Sequence, residues 1–259
     1  MPTGTSILYD YALSPFYDRL VVVWPRWVHP NHITCLGGVA VAGSLVAMAA
    51  EQWSLACLAF TLYHMFDNMD GKHARRTGQS SQFGHVLDHA LDGSVGIVAS
   101  CQICCDHLFG FPSAGRFALC CGMGTLLVCH VAERCTGVPT LGTRIFGADE
   151  LFLCCSFALG YRAMTGNPVL QLDADAKELW WPVVRNGWII SVALLALTTV
   201  KVRNPGWLAF LASFGLLCVY APWPWPQTAF YGPALTALLI TNARRGSQHS
   251  AKPAAKPVN

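Results

Sequence analysis

Charge is what this sequence holds least of: Asp, Glu, Lys and Arg make up 12% of its 259 residues, against about 25% in an ordinary soluble domain. With 53% hydrophobic residues and a mean hydropathy of +0.40, too little polar surface remains to clothe a water-soluble core, so the chain reads as an integral membrane protein. The amino terminus lacks a basic segment leading into a short apolar run with a small-residue cleavage site, and no signal peptide is expected. No strand runs into a Gly-Lys-Ser/Thr turn, which removes the phosphate-binding loop. Tandem repeats of the kind that inverted-repeat transporters carry are missing as well. The net charge of +3 gives no case for a nucleic-acid partner.

What is present is apolar helix. At about 1.5 Å per residue, about 20 residues cross a hydrocarbon layer of about 30 Å. Eight such spans are expected, around Ile33 to Ala50, Trp53 to Met69, Phe83 to Cys105, Arg116 to Ala132, Asp149 to Tyr161, Val183 to Val200, Trp207 to Pro222 and Thr228 to Thr241. The breakers fall between them, at Gly110-Phe111-Pro112, Val138-Pro139, Asn204-Pro205 and the Pro222 to Pro226 Pro-Trp repeat, which with Trp180-Trp181 reads as an interfacial anchor. Within residues 1–30, Leu13, Phe16, Tyr17, Leu20, Trp24 and Trp27 recur near helical spacing between charged residues. That predicts an interfacial amphipathic helix, kinked or divided at Pro15 and Pro25. The fold class is therefore all-α: residues 31–203 as a catalytic transmembrane core of about six helices, 204–243 as two more, and 244–259 as a disordered basic tail. A cytosolic amino terminus places thirteen of the 17 Lys and Arg on the cytosolic face, as the positive-inside rule asks. Nearly all of the 12 cysteines lie inside spans and read as small packing hydrophobes; Cys101-x2-Cys104-Cys105 is no zinc site on this view.

The chemistry is concentrated in one stretch, Asp67-x2-Asp70-Gly71-x2-Ala74-Arg75-x8-Gly84-x3-Asp88-x3-Asp92. Its i,i+3 and i,i+4 steps put each pair of carboxylates on one face of its own helix. A turn from Gly71 to Gln82 is expected to join the two helices at the cytosolic surface. Four aspartates at mid-bilayer would cost on the order of 10 kcal/mol, an upper bound near the interface. Lys72, Arg75 and Arg76 are available partners, but two divalent cations fit an oxygen-only ligand set better. Gly71 and Gly84 permit close backbone approach, and Arg75 offers a fixed cation to a phosphate. Metals and arginine around a cavity describe a pyrophosphate site. Of the remaining polar residues, His64 reads as a helix-interface histidine, and Asp149-Glu150 either face the same cavity or cap a helix start. His130 and Glu133 stand near the entrance. Gly37-Gly38, Gly93-x2-Gly96 and Gly122-x-Gly124 read as small-residue packing surfaces.

This segment resembles the signature of the CDP-alcohol phosphotransferases, membrane enzymes that move a phosphoalcohol from a CDP-linked donor to an alcohol and release CMP. The run Asp67 to Ser81 and the earlier Trp27-x2-Pro30-Asn31-x-Ile33-Thr34 are most similar to the eukaryotic choline/ethanolamine phosphotransferase branch. The resemblance covers Trp24 to Asp92. It implies that Asp67, Asp70 and Asp88 hold two Mg²⁺ or Mn²⁺ ions, with Asp92 completing the cage or acting as base. It implies also that Gly71, Ala74 and Gly84 line a cytidine pocket, Asn31 belongs to the donor site, and Arg75 holds the pyrophosphate. Where the branch has proline and glutamate this chain has Gln82 and His85, so proton removal falls to His85, His89 or Asp92.

The expected activity is transfer of phosphoethanolamine or phosphocholine from CDP-ethanolamine or CDP-choline to diacylglycerol or alkylacylglycerol. The expected setting is the endoplasmic reticulum or Golgi, with the site cytosolic and a homodimer compatible with the family. Within the superfamily the alternative is a CDP-diacylglycerol-dependent phosphatidyltransferase acting on inositol or glycerol phosphate; outside it, a divalent-cation transporter or an inactive scaffold.

Overall fold

The computed structural model describes residues 6–110 and 147–170, with short helical pieces between 122 and 131 and between 234 and 240. A π-helical turn, Tyr9–Leu13, leads into helix α1, Ser14–Leu20, and then a 3-10 turn, Val21–Val23. Pro15 follows closely on the π turn with helical backbone on both sides, and Trp24 turns extended ahead of Pro25. Helix α2, Pro30–Ala49, starts on a proline, with the His29 Nδ1 accepting from the Asn31 N–H at 3.2 Å.

Helix α3, Trp53–Thr77, corrects one expectation. The turn from Gly71 to Gln82 does not form as such: α3 continues through Gly71, and the connection shrinks to residues 78–81. Arg75 and Arg76 suit the negative end of a helix, and Gly78, at φ 70°, closes it in the left-handed conformation. Against these, one internal glycine costs only about 1 kcal/mol. Helix α4, Gln82–Leu91, begins where the Ser81 hydroxyl oxygen accepts from the Gly84 N–H at 3.0 Å. It continues through a π turn, Asp92–Gly96, into α5, Ile97–Ile103, and a second π turn, Cys104–Leu108. Helix α6 spans Ala148–Thr165 and ends on Gly166 at φ 73°.

Side-chain bonds fix the direction of packing. At one end of α3 the Ser44 hydroxyl donates to the Ala56 carbonyl at 2.9 Å, the Trp53 ring lies 4.9 Å from that of His107, and the Arg162 guanidinium sits 5.0 Å above it. At the other end the Thr34 hydroxyl donates to Asp70, and Asn68 donates to Asp149. So α2, the α4–α5 rod and α6 all run antiparallel to α3, and the residues of the signature gather at one end. Between the ends, Val41, Phe60, Ile103, Cys155 and Leu159 are fully buried.

Across the site end lies the amino-terminal segment. Tyr17 and Val21 are buried with Met69, and Met65 and Phe66 pack against them. Lys72 donates to the Ser14 hydroxyl and the Asp18 carboxylate at 2.8 and 2.7 Å, and Arg76 donates to the carbonyls of Val21 and Trp24 at 3.1 and 3.0 Å. Lys72 and Arg76 therefore tie down residues 14–24. Their expected availability to the aspartates is corrected, because those carbonyls and Asp18 already take their donors.

The four longest helical stretches coincide with the first, second, third and fifth expected spans. Among the described residues, α2 alone is long and apolar enough by itself to cross a membrane. The fourth and eighth spans are represented only by short helical pieces. The sixth and seventh spans, Glu133, Trp180-Trp181, the Pro-Trp repeat and the basic tail lie outside the described residues.

Candidate active site and metal centre

Three carboxylates converge between α3 and the α4–α5 rod. One oxygen from each of Asp67, Asp88 and Asp92 lies within 4.8 Å of the others. Asp67 comes from α3, Asp88 from α4 and Asp92 from the π turn. A π turn adds one residue to the helical repeat, and here it falls on Asp92 itself. Asp70 completes the wall of the same cavity, together with Thr34, Gly37, Gly38, Tyr63 and Leu91. The cavity holds about 10 Å³, which is room for roughly one water-sized body.

Two hydroxyls orient the acids. Thr34 Oγ1 donates to Asp70 Oδ2 at 2.5 Å, and the Tyr63 hydroxyl donates to Asp92 Oδ1 at 2.6 Å. Thr34 belongs to the motif that opens α2, but its bond to Asp70 was not expected from spacing; Tyr63 carries no motif at all. Such outer partners fix the direction of a metal ligand's lone pairs. The gathered carboxylates repel one another unless a cation or protons enter. The all-oxygen donor set of Asp67, Asp88 and Asp92, with this spacing, could hold a divalent metal ion.

The glycines show how tightly this end closes. A methyl placed on Gly84 would stand 2.9 Å from Asn31 Oδ1 and 3.2 Å from Ser81 Oγ; one on Gly71 would meet Arg75 Nη1 at 3.4 Å. Gly84 thus brings Asn31 against α4, and Gly71 lets the Arg75 guanidinium fold over its own helix. Ala74 lies on the same turn of α3. Asn31, Gly71, Ala74, Arg75, Gly84, His85 and His89 stand outside the lining of the small cavity. Gly38 packs under Leu91 and Gly37 against Phe66, while Gly122 faces Ile97 and Cys101, as small-residue packing surfaces do.

His85 and His89 lie one turn apart on α4 with ring centroids 4.4 Å apart, and the ring of His130, fully buried, stands 5.4 Å from that of His89. His64 is 2% exposed and faces Asp149, its Nε2 3.0 Å from Oδ1, between the rings of Tyr17 and Phe152. Glu150 accepts from the Gly147 N–H at 2.7 Å and from the Ser6 hydroxyl, so it closes the start of α6. Among the described cysteines, Cys101, Cys104, Cys105, Cys129 and Cys155 are buried thiols, as packing hydrophobes are.

The CDP-alcohol phosphatidyltransferase family model matches residues 27–163. The chain belongs to this family. It is a family of transferases and of membrane proteins that generally use divalent metal ions. Over 175 residues the chain is 30% identical to the CDP-diacylglycerol–serine O-phosphatidyltransferase of Encephalitozoon cuniculi, covering 63% of this chain and 44% of that one. It is 28% identical over 130 residues to cholinephosphotransferase 1 of Saccharomyces cerevisiae, covering 45% and 33%. With human ethanolaminephosphotransferase 1 it shares 33% identity over 106 residues, covering 34% and 26%. The chain thus matches less than half the length of each of these relatives.

Proposed function

We propose that this protein is a metal-dependent CDP-alcohol phosphotransferase that moves phosphoethanolamine or phosphocholine from its CDP ester to diacylglycerol or alkylacylglycerol, releasing CMP. The observation that carries the reading is the convergence of Asp67, Asp88 and Asp92 within 4.8 Å, in a chain of this family. In the proposed arrangement those three acids and Asp70 hold two Mg²⁺ or Mn²⁺ ions. Bound there, the ions supply charge neutralisation for the pyrophosphate and the departing CMP.

The chain's own residues do the rest. Thr34 and Tyr63 hold two of the acids in place. Arg75, folded over Gly71, binds a pyrophosphate oxygen. Gly71, Ala74 and Gly84, with Asn31, present backbone and amide to the cytidine. His85, His89 or Asp92 takes the proton from the acceptor's hydroxyl, and the paired rings of His85 and His89 offer it a route away from the acids. Residues 14–24, pinned by Lys72 and Arg76, lie in this reading where the site meets the membrane surface, the place a lipid alcohol enters. Eight spans with both termini and the site cytosolic, in an endoplasmic reticulum or Golgi membrane, complete the proposal.

Membranes from cells without endogenous activity, given labelled CDP-choline or CDP-ethanolamine and diacylglycerol with and without Mg²⁺ or Mn²⁺, test it. Metal-dependent labelled phospholipid is expected, and Asp70→Ala or Asp92→Asn should abolish it. The match to a serine phosphatidyltransferase over 63% of the chain motivates a second arm, CDP-diacylglycerol with serine, inositol or glycerol phosphate. Product in that arm alone overturns the donor assignment.

A further inference from the structure

The amino-terminal segment has two faces, and the bundle covers one of them. Tyr17 and Val21, one turn apart, are buried against Met69, with Met65 and Phe66 beside them. Away from that contact Tyr11, Phe16, Val22, Val23 and Trp27 are each more than half exposed. So many large apolar side chains bared within one short stretch mark a surface that something else covers.

Position and charge identify the cover. Trp27 stands three residues ahead of α2, the helix long and apolar enough to cross a membrane, and the exposed Leu36, Val39 and Val46 carry the open apolar surface along that helix. The stretch therefore lies at the end where α2 enters lipid, the level that tryptophan favours. Its charged residues, Asp10, Asp18, Arg19 and Arg26, sum to zero, whereas attraction to anionic lipid needs clustered Lys and Arg. Binding then rests on insertion of apolar side chains, which is sensitive to lipid composition and grows as gaps open between head groups.

What insertion does to the site follows from where the segment is tied. Lys72 and Arg76, which bond to Ser14, Asp18 and the carbonyls of Val21 and Trp24, bracket Arg75 on the last turns of α3. Tyr9 reaches the same place. Its ring lies 6.0 Å from Lys72 Nζ, and its phenol, held above its ordinary range by burial and by the charge of Asp149, also feels the opposing charge of Arg75. A segment fastened on both sides of Arg75 holds the helix end that presents the guanidinium. Resting on the functional reading above, we propose that the outer face of residues 7–27 inserts into loosely packed lipid and that its ties to Lys72 and Arg76 pass this insertion to Arg75, so that donor binding follows the packing of the bilayer. Diacylglycerol, whose head group is a bare hydroxyl, opens such gaps. The acceptor lipid thereby favours binding of the donor.

The experiment reads segment and site separately, on full-length protein in vesicles of dioleoylphosphatidylcholine or of palmitoyl-oleoylphosphatidylcholine, one head group with looser and tighter packing. Hydrogen exchange followed by mass spectrometry reads residues 7–27, and calorimetry with CDP-choline and Mn²⁺ reads donor affinity. Wild-type protein should show slower exchange and about threefold tighter donor binding in the looser vesicles, as for a segment seated in roughly one molecule of three in the tighter ones. Diacylglycerol added to the tighter vesicles should restore both. The triple variant Tyr11→Ser, Val22→Ser, Val23→Ser, which alters only exposed positions, should abolish both differences. Arg76→Gln should keep the difference in exchange and lose that in affinity. If it does not fold by gel filtration, the double variant Ser14→Ala, Asp18→Asn carries the same expectation. Equal exchange in the two vesicles overturns the proposal, as does protection that follows the protein-to-lipid ratio and so marks contact between copies. A difference in exchange with none in wild-type donor affinity overturns the coupling. Wild-type protein that binds no CDP-alcohol in either vesicle overturns the functional reading and the coupling with it, while exchange still decides whether the segment inserts.

Discussion

Replacing Tyr63 with Phe isolates the support beneath the candidate metal centre. Tyr63 is 2% exposed, with its ring 5.7 Å from Phe60 and 5.3 Å from Phe152, so Phe keeps the packing and removes only the oxygen that donates to Asp92 at 2.6 Å. A hydrogen bond to a charged acceptor contributes about 1.5 to 3 kcal/mol, and each 1.4 kcal/mol is about tenfold in an equilibrium constant. Metal affinity should therefore fall roughly 10- to 100-fold, the range usual for the partners that orient metal ligands. Mn²⁺ titration of CMP release, backed by direct Mn²⁺ binding followed by electron paramagnetic resonance, reads this as a higher half-saturating concentration. Gly96 provides a second arm. A methyl there would overlap the Tyr63 hydroxyl and stand 3.1 Å from its ring carbon, so Gly96→Ala should weaken metal binding by displacing the same hydroxyl. In a Tyr63→Phe background that substitution should add little, a non-additivity expected of side chains in contact. Unchanged Mn²⁺ dependence in Tyr63→Phe would refute the reasoning.

Further expectations follow from the same geometry. Thr34→Val removes the 2.5 Å bond to Asp70 and should raise the Mg²⁺ requirement about tenfold, measured by the same titration. Asp88→Asn, losing one of three converging carboxylates, should abolish CMP release while the protein still elutes as a folded species; retained activity would count against the cluster. Gly84→Ala should weaken CDP-choline binding by isothermal calorimetry through its 2.9 Å approach to Asn31, with partial rescue by Asn31→Ala. Asp18→Asn breaks a pair whose acid is 62% exposed, so thermal unfolding should register a loss of about 1 kcal/mol or less.

Much of the site was legible because helical spacing is local. The i,i+3 and i,i+4 steps from Asp67 to Asp70 and from Asp88 to Asp92 state which carboxylates share a face, whatever that face meets. The composition announced buried helices in the same way. The length of α3 was misjudged because Gly71 reads as a breaker, whereas tertiary packing and the cap at Gly78 outweigh one glycine. Lys72 and Arg76, which the sequence offered only as available partners for the acids, bond instead to a segment more than 50 residues upstream, which proximity in sequence does not reveal.

By itself, the sequence determined the helical character of the described residues, the four acids and their pairing, and the arginine one turn beyond them, since each follows from residue type and helical period. Only the tertiary structure decided that Thr34 and Tyr63 aim Asp70 and Asp92, that Glu150 caps a helix while Asp149 bonds to Asn68, and that the amino-terminal segment lies across the site. Those contacts join residues from 29 to 144 positions apart. Which helix faces meet over such separations is set by side-chain packing and not by any pattern within one helix.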